Sequence, residues 1–163
     1  LATRETRILF EAAVQRCQAQ DLPLRLLFGH AHEAMMAADV VLVASGTATL
    51  EAALLKRPMV IVYKMAPLSY RLMRRMAYLP YVGLPNVLAG RFVVPEYMQD
   101  DAQPEKLAPA LLELYADNAG RQRIGQVFRE MHLQLRQNAA EKAAAAVVDC
   151  LPTEVRRNVA AAA

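Results

Sequence analysis

Residues 40–51 read Val40-Val41-Leu42-Val43-Ala44-Ser45-Gly46-Thr47-Ala48-Thr49-Leu50-Glu51: five apolar residues, a Ser-Gly-Thr break, then a helix-forming run. An apolar run of this length without alternation is the pattern of a strand buried on both faces of a parallel sheet. The break marks the carboxyl end of that strand, and the residues after it predict a helix over 47–57. Pro58 stops the helix, and Met59-Val60-Ile61-Val62-Tyr63 reads as a second apolar strand. Working back from residue 40, His32-Glu33-Ala34-Met35-Met36-Ala37-Ala38 is a short helix and Leu24-Arg25-Leu26-Leu27-Phe28 a short strand closed by Gly29. Residues 4–20 carry a helical pattern that ends at Asp21-Leu22-Pro23. Strands and helices alternating across short turns predict right-handed βαβ crossovers and an α/β fold with a doubly wound parallel sheet.

Downstream the pattern changes. A helix is expected over 67–79, an irregular Pro- and Gly-containing segment over 80–95, a short helical turn over 96–100, and helices over 104–117 and 120–149. Only three strands are read, whereas a self-sufficient sheet usually has about five or six. One or two strands are therefore expected upstream of Leu1, and the chain, which begins without Met, is read as a piece of a longer protein. Residues 1–100 are assigned to a partial sheet domain, 101–151 to C-terminal helices that complete it, and 152–163 to a tail. The Val159-Ala160-Ala161-Ala162-Ala163 end of that tail is read as a cloning remnant.

The composition narrows the function. Of the 163 residues 55% are hydrophobic and 21% charged, which excludes a disordered chain and allows a real core. Aromatic residues are 6%, with no Trp, which favours helix-rich packing over a β-sandwich. The net charge of +3 permits a phosphate-binding patch but is not that of a strong nucleic-acid binder. Cys17 and Cys150 are too few and too distant for a disulfide scaffold or a structural zinc site, and are read as buried thiols of a reducing, cytosolic compartment. No apolar run reaches the ~20 residues of a membrane span.

The strand-turn-helix at 43–51 is the strongest candidate site, because open α/β sheets bind ligands at their carboxyl edge. Gly46 allows a ligand close to the backbone. The unpaired N–H groups of a first helical turn, with the hydroxyls of Ser45, Thr47 and Thr49, suit a phosphate. Glu51, about one turn further on, suits a ribose diol. The plain alternative is a Ser/Thr cap with a solvated Glu51, but a capping box places its Glu three residues after the cap, and Glu51 is six after Ser45 and four after Thr47. A Walker loop is excluded, since its Gly-Lys-Ser/Thr core is absent.

In the 68–79 segment Leu68, Leu72, Met76 and Leu79 share one side of a helix, and Arg71, Arg74 and Arg75 another. This reads either as a surface helix packed by its leucine face or as a basic helix meeting an anionic lipid surface. Asn86, Arg91, Glu96 and Gln99 lie on the irregular segment beyond the sheet, where polar groups can face the same crevice as Glu51. His30, His32 and His132 lack metal-ligand spacing; capping or surface roles fit His30 and His32 better than ligand contact. No metal cluster, Ser-His-Asp order or paired carboxylate stands out, so no catalytic residue is assigned.

The run ASGTATLEAALLKRPMVIVYKMAPLSYRLMRR (44–75), followed by YVGLPNVLAGRFVVPEYMQDDAQPEKLAPAL (81–111), closely resembles the C-terminal half of bacterial lipid-A-disaccharide synthases. HEAMMAADVVLVASGTATLE (32–51) fits the same family, and the likeness runs from about residue 20 to 150. SGTATLE is shared loosely with other GT-B sugar transferases, whereas the LPN, LAG, R, VPE and Q series after it is not. The resemblance implies an incomplete Rossmann-like doubly wound sheet, the C-terminal half of a GT-B fold, followed by C-terminal helices. It implies an inverting, metal- and cofactor-independent glycosyltransferase that joins UDP-2,3-diacylglucosamine to 2,3-diacylglucosamine 1-phosphate, giving the β-1′,6 lipid A disaccharide and UDP. It further implies a peripheral position on the cytoplasmic face of the inner membrane of Gram-negative bacteria, and homodimers with exchanged C-terminal parts. Carried over, Ser45, Gly46 and Thr47 would hold the diphosphate and Glu51 the ribose, with Asn86, Glu96 and Gln99 lining the donor side and Arg91 a weaker candidate. The general base would lie in the N-terminal half, so these residues alone would bind donor weakly and not catalyse. The competing readings are another GT-B enzyme using a UDP-sugar, such as a peptidoglycan N-acetylglucosaminyltransferase or a UDP-sugar epimerase, and a non-enzymatic module that recognises anionic lipid through the arginine helix.

Overall fold

The structure, a computed structural model, describes residues 4–152. In chain order it contains α1 (Arg4–Arg16), α2 (Ala31–Ala37), β1 (Val41–Ala44), α3 (Thr47–Leu54), β2 (Met59–Tyr63), α4 (Pro67–Met76), α5 (Leu84–Ala89), β3 (Glu96–Met98), a 3-10 turn (Gln99–Asp101), α6 (Pro104–Ala116), α7 (Asn118–Leu135) and α8 (Ala139–Cys150). The strands are parallel, in the order β1-β2-β3, with Val43 opposite Ile61 and Ile61 opposite Glu96. This is the α/β arrangement expected, a partial Rossmann-like sheet with helices.

Alternation along β2 explains how the two faces are used. Met59 and Ile61 point to one face, where with Val43, Ala52, Ala53, Val94, Phe128 and Met131 they form the core. That face is covered by α3, α5 and α7. Val60 points to the other face, where α6 lies against β2, and is equally buried. Its neighbour in register, Leu42, is 47% exposed, so β1 is not buried on both faces as its apolar run suggested. The reason is position: among the described residues β1 is an edge strand that pairs only with β2, and Leu42 stays open to solvent.

The sheet corrects the sequence in two further places. Leu24 to Phe28 is not a strand; Leu24 and Phe28 are exposed and no strand among the described residues pairs with them. Conversely, 96–98 is a strand rather than a helical turn, joined to β2 from its first residues by the Ile61 N–H donating to the Pro95 carbonyl at 3.0 Å. The segment 80–95 contains the short helix α5.

Helix ends move for local reasons. The α3 helix stops at Leu54, short of 57, because Lys56 takes a left-handed conformation (φ 60°), with its N–H on the Ala53 carbonyl and that of Arg57 on the Ala52 carbonyl. That pair of bonds is a Schellman closure. The helix expected over 120–149 is two, broken before Asn138, which is also left-handed (φ 50°). Both cysteines are exposed and free, not buried, since Cys17 follows α1 and Cys150 ends α8, two helices that bury no residue. The tail assigned to 152–163 lies, beyond Pro152, outside the described residues.

Candidate functional site

The turn after β1 is built by hydrogen bonds at the sheet edge. The Ser45 N–H continues the ladder by donating to the Val62 carbonyl at 2.9 Å. Gly46 then takes φ 151°, ψ −164°, a region open essentially to glycine alone, and caps α3 with no side-chain hydrogen bond. A Cβ at Gly46 would meet nothing within 4 Å, so the space over the turn is open. Thr49 does not face that space. It is fully buried, and its hydroxyl donates to the Gly46 carbonyl at 2.7 Å, which removes it from the phosphate-facing set expected from sequence. Ser45 is half-buried and Thr47 exposed, and Glu51, one turn after Thr47 on the same side of α3, is exposed. The result is an uncapped helix N-terminus with two hydroxyls beside it and a carboxylate about 6 Å along the axis. Such an end attracts anions through its free N–H groups and its dipole.

Asn86 and Glu96 are brought together, but with each other. The Asn86 amide nitrogen donates to the Val94 carbonyl and to Glu96 Oε1, both at 2.8 Å, and its oxygen accepts from the N–H groups of Val93 (2.7 Å) and Val94 (3.1 Å). Every hydrogen-bonding position of this fully buried amide is filled. The Glu96 carboxylate accepts in addition from the N–H groups of Val82 (2.9 Å) and Gly83 (2.8 Å). The knot fixes the start of α5 against β3, and it requires glycine at 83, where a Cβ would sit 2.4 Å from Ile61 Cδ1 and 2.8 Å from Glu96 Oε1.

Gln99, held left-handed at φ 51°, makes a second clamp. Its amide accepts from the Met65 N–H (2.7 Å) and donates to the Met65 carbonyl (3.0 Å). Met65 lies two residues beyond β2, as Ser45 lies one beyond β1, so Gln99 ties the chain at the same carboxyl edge of the sheet. Sequence reading missed Gly83 and the backbone of Met65 as parts of this architecture. Gly83 had a local signal, the Gly-Leu-Pro-Asn turn at 83–86; Met65 had none.

The remaining candidates lie elsewhere. Arg91 is exposed and lines a cavity of about 590 Å³ with Phe92, Val93, Leu114, Ile124 and Glu130, against α6 and α7. Arg71, Arg74 and Arg75 are exposed on α4. His30 precedes α2 without capping it and lies 3.6 Å from Glu33. The Glu33 carboxyl is held below its ordinary range, first by its own backbone hydrogen bond and less by His30. His132 meets Lys56 where α7 crosses the end of α3. Among the described residues no three His, Cys, Asp or Glu side chains are placed to hold a metal ion, and no helix is long and apolar enough to cross a membrane.

Comparison with known proteins gives one consistent result. The profile of the family described as lipid-A-disaccharide synthetase matches residues 1–149. The chain is 69% identical over 151 residues to a lipid-A-disaccharide synthase of Dechloromonas aromatica, covering 93% of this chain and 40% of that protein. It is 62% identical over 151 residues to the synthase of an Azoarcus species (93% and 39%) and 60% over 148 residues to that of Methylobacillus flagellatus (91% and 39%). The chain thus spans about 40% of the length of the curated relatives it matches.

Proposed function

The chain belongs to the lipid-A-disaccharide synthetase family, and from that premise we propose that it is the donor-binding part of an inverting glycosyltransferase of lipid A biosynthesis. The complete enzyme joins UDP-2,3-diacylglucosamine to 2,3-diacylglucosamine 1-phosphate and releases UDP. The observation that carries this reading is the 45–51 turn: an uncapped α3 N-terminus at the carboxyl edge of the sheet, inside the segment that matches the family.

The chemistry follows from the parts. As the glycosidic bond to the diphosphate breaks, negative charge grows on the leaving oxygens. The N–H groups at Thr47 and Ala48, with the Ser45 and Thr47 hydroxyls, are fixed donors for that charge and need no reorganisation when it forms. Glu51, too far along the helix to crowd the phosphates, accepts from the two ribose hydroxyls. Asn86 and Glu96 act without touching the donor, by setting the wall from which α5 starts. Gln99 fixes the chain that leaves β2 beside the donor, and Arg91, facing the α6 and α7 side, takes no part. The acceptor hydroxyl needs a general base, which the remainder of the enzyme supplies, so this chain alone does not turn over. We further propose that the complete enzyme works at the cytoplasmic face of the inner membrane, where its lipid substrates lie, and as a homodimer with exchanged C-terminal parts.

The test is a calorimetric titration of the chain with UDP in EDTA, with ADP as control, repeated on Glu51→Ala. UDP binding that is weakened about tenfold or more by the substitution is expected, the loss of a charge-assisted hydrogen-bond pair. Equal affinity of the Glu51→Ala chain would remove the ribose role from Glu51. Equal binding of ADP and UDP would remove the uridine specificity from this part.

A further inference from the structure

Helix α4 is attached to the fold in an unusual way. Its excursion, residues 64–83, leaves the sheet after β2 and returns at α5, and both roots are held by side chains from β3 and the turn after it. Gln99 grips the Met65 backbone at the way out, and Glu96 grips the N–H groups of Val82 and Gly83 at the way back. Between those clamps the helix buries no residue. Only Tyr70 and Met73 are partly covered, against a recess they share with Tyr81, Val82 and Met98.

At about 100° per residue the helix has three sectors. Tyr70 and Met73 face the protein. Leu68, Leu72 and Met76 share a second sector and are 78%, 61% and 67% exposed. Arg71, Arg74 and Arg75 fill the third, with Arg75 at the border of the apolar stripe. An ordinary surface helix turns its leucines inward; this one turns them out, and beyond its end Tyr78 is fully exposed while Leu79 lines the recess with Tyr70 and Met73. Leu68, Arg71, Leu72, Arg74 and Arg75 together line a shallow depression on the open surface of the helix.

The charge pattern identifies the occupant. Residues 52–95 contain no Asp or Glu and seven Lys or Arg. The ion pairs among the described residues involve none of the three α4 arginines. A second copy docked by the same stripe about a two-fold axis would bring two sets of three arginines together with no nearby acid, a repulsive arrangement. A surface with anionic phosphates at its rim and hydrocarbon beneath satisfies both sectors at once. We propose that α4 is a membrane-docking helix lying in the headgroup layer of an anionic bilayer, with Leu68, Leu72 and Met76 at the acyl boundary and Arg71, Arg74 and Arg75 on lipid phosphates. The two clamps set its angle to the sheet edge that carries the 45–51 turn, so docking holds that edge at the membrane surface.

The test is flotation of the chain with vesicles of phosphatidylcholine and phosphatidylglycerol against phosphatidylcholine alone, at low and high salt. Two variants accompany it, Arg71→Gln/Arg74→Gln/Arg75→Gln and Leu72→Ser/Met76→Ser. All five positions are exposed, and circular dichroism checks that both variants fold. Binding to the anionic vesicles that falls with salt is expected, weakened about 100-fold by the arginine variant and clearly by the apolar one. Absence of binding by the folded chain would overturn the proposal, as would equal binding of either variant. So would loss of self-association in Leu72→Ser/Met76→Ser, seen by sedimentation equilibrium, without vesicle binding by the parent chain. UDP titration of the same variants keeps the two readings apart, because α4 is outside the donor turn and their UDP affinity is expected to stay unchanged whether or not they float.

Discussion

Gly46 joins two features in one residue: a backbone geometry that other residues adopt only under strain, and open space over the turn proposed to receive the donor. Gly46→Ala separates them. A Cβ there meets no neighbour within 4 Å, so any loss of stability comes from φ 151° alone and is expected to be about 1–3 kcal/mol, read as a lowered urea midpoint with unchanged slope. A variant as stable as the parent would mean that the turn relaxes to another backbone form, and with it the direction of the Thr47 and Ala48 N–H groups. At this scale the sequence was legible where chemistry is local. Ser45, Gly46, Thr47 and Glu51 could be picked out because strand, break and helix are adjacent in the chain. Thr49 could not be separated from them, since its inward turn depends on burial against the core. Asn86, Glu96 and Gln99 could be marked as polar residues on a loop, but their partners lie 7 to 34 residues away, and no local pattern records such bonds.

Helices α3 and α7 show how elements share the energetic load. Phe128, on α7, is fully buried in the core formed with Met59, Ile61, Ala52 and Ala53, whereas Leu133 on the same helix is 65% exposed. Phe128→Ala is expected to cost about 3–5 kcal/mol, the range for an aromatic cavity in a packed core, while Leu133→Ala costs under about 0.5 kcal/mol. Urea titration of the pair tests whether α7 is docked through that one face; similar losses would show Leu133 packed in solution. The element-level reading from sequence found three strands, and the described residues form three, but they are not the same three. Leu24 to Phe28 has the composition of a strand and no partner ladder. Glu96–Met98 is too short, and too close to Pro95, to announce itself, yet it is drawn into the sheet by pairing with β2. A strand is a property of the pair, and periodicity in one segment cannot report its neighbour.

The molecule as a whole exposes more surface than its mass accounts for. A compact monomer of 18.0 kDa presents about 8,000 Å² to solvent, and this chain presents 12137 Å². Part of the excess is apolar and falls on recognisable faces: Ile8 and Leu9 on α1, Leu42 on the uncovered side of β1, Leu68 and Leu72 on α4, and Val147 on α8. Only α4 pairs its stripe with a row of cations, which is why it suits a lipid surface. On α1 the arginines share the helix with Glu5 and Glu11, and Arg7 pairs with Glu11; the curated relatives, of which this chain spans about 40%, have further length that can cover such faces. The measurable consequence concerns unfolding. Because these apolar faces stay open in the folded chain, unfolding exposes less area than is usual for this mass, and the urea m-value, which scales with that area, is expected to fall below the usual value. Far-UV circular dichroism in urea, run at low protein concentration, gives the slope directly. An m-value normal for 163 residues would mean that α1, α8 and the open side of β1 close on one another in solution; sedimentation at the same concentration would then show a monomer more compact than this surface allows. A low slope that rises when the part of a curated relative that this chain does not match is supplied in trans would identify those faces as the seat of that part.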